Sequence, residues 1–180
     1  MCTIVAIKGL HPEYGLVLAA NRDEFHARPA RPPEVLHEAP RVVAGLDVPS
    51  GGTWLGANAH GVFVALTNQR QYEGADDRLA SRGLVVRRAL EAGPLDAVDA
   101  FVEGLDARLT NSFNLFWGDA TTLRVGYARR DRAPVAVETL GDGVWVLPND
   151  RIGSLEFPKT QRALALTEPF VTAPWPVLAE

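Results

Sequence analysis

An α+β fold is the architecture this sequence predicts, on three observations. Short apolar, β-branched runs come in close pairs joined by turn-forming residues, one central stretch switches to helical spacing, and further β-like runs follow it. Strands joined through short loops pair antiparallel. Helices gathered mid-chain do not alternate with strands, so they are expected to cover a layered antiparallel sheet.

Residues 3–7 and 15–20 are the first two strands. His11, Pro12, Glu13 and Tyr14, flanked by Gly9 and Gly15, make the loop between them. If the turn is centred between Pro12 and Glu13, facing residue numbers sum to about 25, which sets Cys2 opposite Asp23; a slip of one residue sets it opposite Arg22. Either register brings Cys2 beside Asn21-Arg22-Asp23-Glu24. The proline-rich stretch 29–40 reads as irregular or edge structure, because proline cannot donate to a ladder. Residues 53–57 and 62–67 form a second hairpin through Asn58-Ala59-His60-Gly61. Residues 81–92 read as a helix stopped by Gly93. Pro94 opens another, with Leu95, Val98, Phe101, Val102 and Leu105 on one face. Strands are expected at 112–117, 122–128, 135–140 and 144–147, a last helix at 160–167, and a tail carrying Pro169, Pro174 and Pro176.

The 180 residues suit a single domain over 1–180. With 47% hydrophobic and 22% charged residues, the composition is that of a folded globular chain. A net charge of −4 and no Lys/Arg cluster exclude the electrostatic footprint of a general nucleic-acid binder. Only Lys8 and Lys159 are lysines. No apolar run approaches the roughly 18 residues of a membrane span. The first residues lack the basic start of a signal peptide, so a cytoplasmic protein is expected. Cys2 is the one cysteine, which excludes an internal disulfide and a cysteine metal cluster.

Cys2 is the first candidate for chemistry. Removal of Met1 would leave its thiol next to a free α-amine, whose pKa of about 7.7–8.0 lets it act as a base. The bland alternative is that position 2 merely follows the start of translation. Arg22 could favour the thiolate and Asp23 could hold the α-ammonium; a solvated loop after a strand is the competing reading. Gly51-Gly52-Thr53-Trp54-Leu55-Gly56 permits a tight turn or close approach to a ligand, but lacks a phosphate-loop lysine. Trp54 reads as wall or core. Asn68 and Asn149, each at a strand end, could donate to an oxyanion or serve as turn residues. His11, His26, His37 and His60 lack metal-ligand spacing and read as surface loop residues.

These residues carry a resemblance. Met1-Cys2-Thr3, Asn21-Arg22-Asp23-Glu24-Phe25 with Arg28-Pro29, Gly51 through Gly56, Leu66-Thr67-Asn68, Ser81-Arg82-Gly83, Asn114-Leu115 before Gly118-Asp119, and Leu147-Pro148-Asn149 occur in the order found in the NRDE, or transport-and-Golgi-organisation, family. That family is similar to the N-terminal nucleophile hydrolases of the penicillin V acylase and bile salt hydrolase type. The resemblance implies a four-layer αββα sandwich of antiparallel sheets, short at its C-terminal end relative to the family. It implies Cys2 as nucleophile, Asp23 on the α-amino group, Arg22 near the supporting arginine, and Asn68 and Asn149 as oxyanion donors. Asn21, Glu24 and Trp54 would then belong to the substrate site. Two functions are expected to compete: hydrolysis of a non-peptide C–N amide of a small molecule, or binding and trafficking of haem or another apolar metabolite. No cofactor is expected for hydrolysis.

Overall fold

The computed structural model describes residues 2–70 and 74–174. Met1, whose removal the expected chemistry invokes, and Pro176 of the tail lie outside the described residues.

Two antiparallel sheets form the centre. The smaller has three strands, with β1 (Thr3–Lys8) between β2 (Leu16–Asn21) and the late strand β10 (Gly143–Leu147). The larger has seven in chain order: β3 (Ala30–Glu38), β4 (Arg41–Asp47), β5 (Leu55–Asn58), β6 (Phe63–Asn68), β7 (Phe113–Gly118), β8 (Leu123–Ala128) and β9 (Ala136–Leu140). Between β6 and β7 the chain leaves to form α1 (Arg82–Glu91) and α2 (Leu95–Glu103); α3 (Pro158–Thr167) follows β10.

Side-chain alternation sets the layers. Val64 and Leu66 of β6, with Phe113, Leu115 and Trp117 of β7, meet Val86 and Leu90 of α1 and Val98 and Val102 of α2. Phe63, Ala65 and Phe116, one position out of phase, face the other sheet and pack with Ile4, Ala6 and Leu147. α3 lies against β10. The order is therefore helices, sheet, sheet, helix, an αββα sandwich. Because β7 is covered on both faces, its six residues are all buried, and each large one stabilises by about 1.5–3 kcal/mol. Among the described residues no helix is long and apolar enough to cross a membrane.

Two sequence expectations change, and one open alternative is decided. Of the irregular and edge readings of 29–40 the edge one holds: the stretch contains a nine-residue strand, β3, at the edge of the large sheet. Its ladder with β4 shifts register between Arg31 and Glu34, where Pro32 and Pro33 have no N–H to give. β4 itself lies between turn-rich segments and was not expected. His11 is buried, not a surface loop residue: its Nε2 lies 2.8 Å from the Ala173 carbonyl oxygen, while Nδ1 accepts from the backbone N–H groups of Glu13 and Tyr14.

Candidate functional site

The first hairpin decides what Cys2 faces. Thr3 pairs with Asn21 and Lys8 with Leu16, so facing numbers sum to 24, and the Gly9 N–H closes the turn onto the Gly15 carbonyl at 2.9 Å. Extended by one residue, this register sets Cys2 level with Arg22, the alternative one residue away from Asp23. Cys2 is 8% exposed and lines an open cleft of about 510 Å³. Arg22, Asp23, Glu24, Trp54 and Asn68 line the same cleft; Asn21 and Asn149 do not.

Charge pairing stiffens one wall. The Arg22 guanidinium carbon stacks 4.5 Å from the centre of the Trp54 ring, and its Nη2 lies 3.5 Å from Glu24 and 3.7 Å from Asp47. Trp54 can lie there because Gly45 has no side chain: a Cβ on it would come within 2.7 Å of the ring. Arg28 donates to both Asp47 carboxylate oxygens, at 2.8 and 2.6 Å, and Ser50 Oγ adds a third bond at 2.5 Å. Burial pushes the Asp47 carboxyl pKa up, but these bonds and the charges of Arg28 and Arg22 outweigh it, holding Asp47 below its ordinary value. Asn21 turns its amide to Asp23 Oδ1 at 2.8 Å.

The opposite wall begins at Asn68, which ends β6. Its carbonyl oxygen accepts from Asn149 Nδ2 at 2.7 Å, so Asn149 stands behind the wall. Asn149 Oδ1 accepts from Lys159 Nζ at 2.8 Å, and the same ammonium donates to the Cys2 carbonyl oxygen at 3.0 Å. The Asn149 loop is tied down by two polar side chains buried between the sheets. Thr67 Oγ1 donates to the Pro148 carbonyl at 2.7 Å, and Asn114 Nδ2 bonds Thr67 Oγ1 at 3.0 Å and the Asp150 carbonyl at 2.8 Å.

The glycine pair makes the tight turn, and its close approach is to the protein's own backbone. Gly51 turns with φ +68°, and Gly52 lets the chain pass α1 so closely that a Cβ there would sit 2.3 Å from the Gly83 carbonyl carbon. That approach, with the Thr53 N–H donating to the Gly83 carbonyl at 3.0 Å, places Ser81, Arg82 and Gly83 on the cleft.

Arg28, Asp47, Arg82 and Lys159 were not expected in the site. Arg28 and Arg82 belong to motifs that carry the resemblance, and Lys159 is one of two lysines in the chain, but nothing local marks their proximity to Cys2. Among the described residues no group of His, Cys, Asp and Glu could hold a metal ion.

Cleft and layer order together define an N-terminal nucleophile hydrolase fold. The Caenorhabditis elegans N-acylethanolamine-hydrolyzing acid amidase ortholog superposes with a TM-score of 0.64 at 15% identity, over 94% of this chain and 79% of that one. A mutant conjugated bile acid hydrolase from Clostridium perfringens gives 0.57 at 14% identity, over 97% and 59%. The chain belongs to the Transport and Golgi organisation 2 family, whose model matches residues 1–174. The human Transport and Golgi organization protein 2 homolog is 35% identical over 115 residues, 62% of this chain and 41% of that protein. An uncharacterised Saccharomyces cerevisiae protein is 30% identical over 135 residues, 66% and 42%. The chain thus spans about two fifths of the length of these relatives.

Proposed function

We propose that the protein is an N-terminal cysteine amidohydrolase acting on a non-peptide C–N amide of a small molecule. The observation that supports this most is the convergence of Cys2, Arg22, Asp23 and Asn68 on one cleft. After loss of Met1, the free α-amine of Cys2 takes the thiol proton and Asp23 steadies the ammonium that forms. The thiolate attacks the carbonyl carbon, and negative charge develops on its oxygen. The Asn68 amide, which has no side-chain hydrogen bond among the described residues, is available to that oxygen. Asn149, behind the wall, gives its Nδ2 to the Asn68 carbonyl and is assigned as the group that holds Asn68 in place. Collapse of the intermediate returns the proton to the departing amine, and water then hydrolyses the thioester. Arg22 favours the thiolate, Glu24 and Trp54 shape the substrate side, and Asn21 acts on it only through Asp23. These steps take place in the cytoplasm under this reading.

A second reading is favoured by Phe25, which lines the cleft at 84% exposure. An aromatic so exposed beside a cleft suits a carrier of an apolar metabolite such as haem. It predicts binding that survives Cys2→Ala.

Intact mass before and after brief thiol alkylation at neutral pH tests the hydrolase reading, because every adduct reports on Cys2. Loss of Met1 with rapid labelling is expected; retained Met1 or an inert thiol removes the catalytic amine or its access and leaves the carrier.

A further inference from the structure

We propose that Arg82 is the docking point for an anionic group, a carboxylate, sulfonate or phosphate, on the small molecule that occupies the cleft. The proposal deepens the hydrolase reading by naming its substrate class: an amide that carries a negative charge beside the scissile bond, as an N-acyl amino acid does.

Three arginines line the cleft. Arg28 is committed to Asp47 through two bonds, and Arg22 to Trp54, Glu24 and Asp47. The Arg82 side chain makes no hydrogen bond or ion pair among the described residues, although it is half-buried. Among the described residues no carboxylate of the cleft bonds its guanidinium, and Glu24 acts on it through charge alone. Asp47 is held by Arg28, Glu24 lies by Arg22 and Arg28, Asp76 is bonded by Arg78 and Arg130, and Asp23 accepts from Asn21. Asp77 is exposed to solvent, which screens it.

A guanidinium taken partly out of water without a directly bonded anion is costly, and its planar fork of donors matches two oxygens of one anion. Burial lowers the Arg82 pKa, and the negative charges of Cys2 and Glu24 act the other way. Arg82 and Cys2 line the same cleft. Arg82 is also the first residue of α1, and Ser81 makes no side-chain cap, so the helix dipole adds to its charge. An anion on Arg82 would lie in the same cleft as Cys2, where the attached amide can reach the thiol.

Cys2, as the single cysteine, supplies the readout. Alkylation rates with iodoacetate, an anion, and iodoacetamide, its neutral counterpart, are measured on the full chain, with free cysteine as reference. The wild type is expected to favour iodoacetate by roughly fivefold over the free amino acid, as a charge-assisted contact implies. Arg82→Gln is expected to bring the ratio back to that of free cysteine and Arg82→Lys to retain part of it. An equal ratio in wild type and Arg82→Gln overturns the proposal. Should Arg82→Gln not fold, added salt serves: loss of the wild-type preference supports the site, and a salt-independent ratio overturns it.

Calorimetry with N-decanoylglycine and N-decanoylethanolamine reads the site without the thiol. Tighter binding of the glycine conjugate by roughly tenfold, lost in Arg82→Gln, is expected. Equal affinities, or no binding of either, overturn the anion site. If N-decanoylglycine binds through Arg82 while Cys2 neither alkylates nor turns it over, hydrolysis fails and the anion site stands. Rapid labelling without charge preference is the reverse.

Discussion

Lys159 holds Asn149 in one orientation. Its ammonium lies 2.8 Å from Asn149 Oδ1, and because a lysine can only donate, the amide oxygen must face it and Nδ2 must face the Asn68 carbonyl. The same ammonium bonds the Cys2 carbonyl at 3.0 Å, so one cation ties the start of β1 to the loop after β10. Burial lowers the Lys159 pKa, while the negative charges of Asp23 and Cys2 work against that.

Lys159→Met is expected to free the Asn149 amide and leave two acceptors unsatisfied. A loss of about 1–3 kcal/mol in urea unfolding should follow, together with slower alkylation of Cys2. Unchanged stability and labelling would show that the bridge contributes nothing.

Cys2→Ala separates chemistry from fold. Removing one sulfur from a small buried residue should cost about 1 kcal/mol or less, within the ordinary range for a point substitution. Hydrolysis of N-decanoyl amides should vanish while the unfolding transition remains cooperative. A variant that still turns over substrate would rule out the thiol as nucleophile.

Asn114 and Thr67 carry the Asn149 loop on the large sheet. Asn114 is fully buried, and Asn114→Leu would strand the Asp150 carbonyl and take from the Gln69 amide its bond to Oδ1 at 2.7 Å. A destabilisation of about 2–4 kcal/mol is expected, with Thr67→Val costing less because it removes one hydroxyl. Chemical denaturation of the two variants and their double mutant checks this. Strictly additive losses would mean that the two side chains do not form one network.

Much of this was legible because it is local. Period-two runs mark the paired strands, and Gly93 and Pro94 divide α1 from α2 as their backbone constraints demand. β3 was obscured because prolines mask a strand whose edge position makes them tolerable, and β4 because turn-rich segments flank its short run. The residue facing Cys2 was open between Asp23 and Arg22, since a hairpin's register follows from its turn, and only the Gly9–Gly15 closure fixes that turn. Lys159 and Cys2 stand 157 positions apart, and their contact exists only once β10 pairs with β1. Asn114 could be quoted as part of a motif, but its work as a tether depends on the second sheet arriving opposite β7.

Asp47 ties the acid stability of the protein to the cleft wall. Its folded pKa is lowered from the ordinary 3.8, so the unfolded chain takes up a proton first as pH falls. The stabilisation is therefore complete well above that ordinary value and is lost as pH drops through the lower folded value. Asp47→Asn keeps the shape and removes the charge that Arg28 and Arg22 face. At about pH 7 it should cost about 1–3 kcal/mol, since hydrogen bonds to a charged group are at stake. Urea unfolding of wild type and variant, repeated from about pH 7 down to about pH 2, should show the two stabilities converging only below the ordinary carboxylate range. A gap that stayed constant across that range would mean that Asp47 contributes shape and not charge.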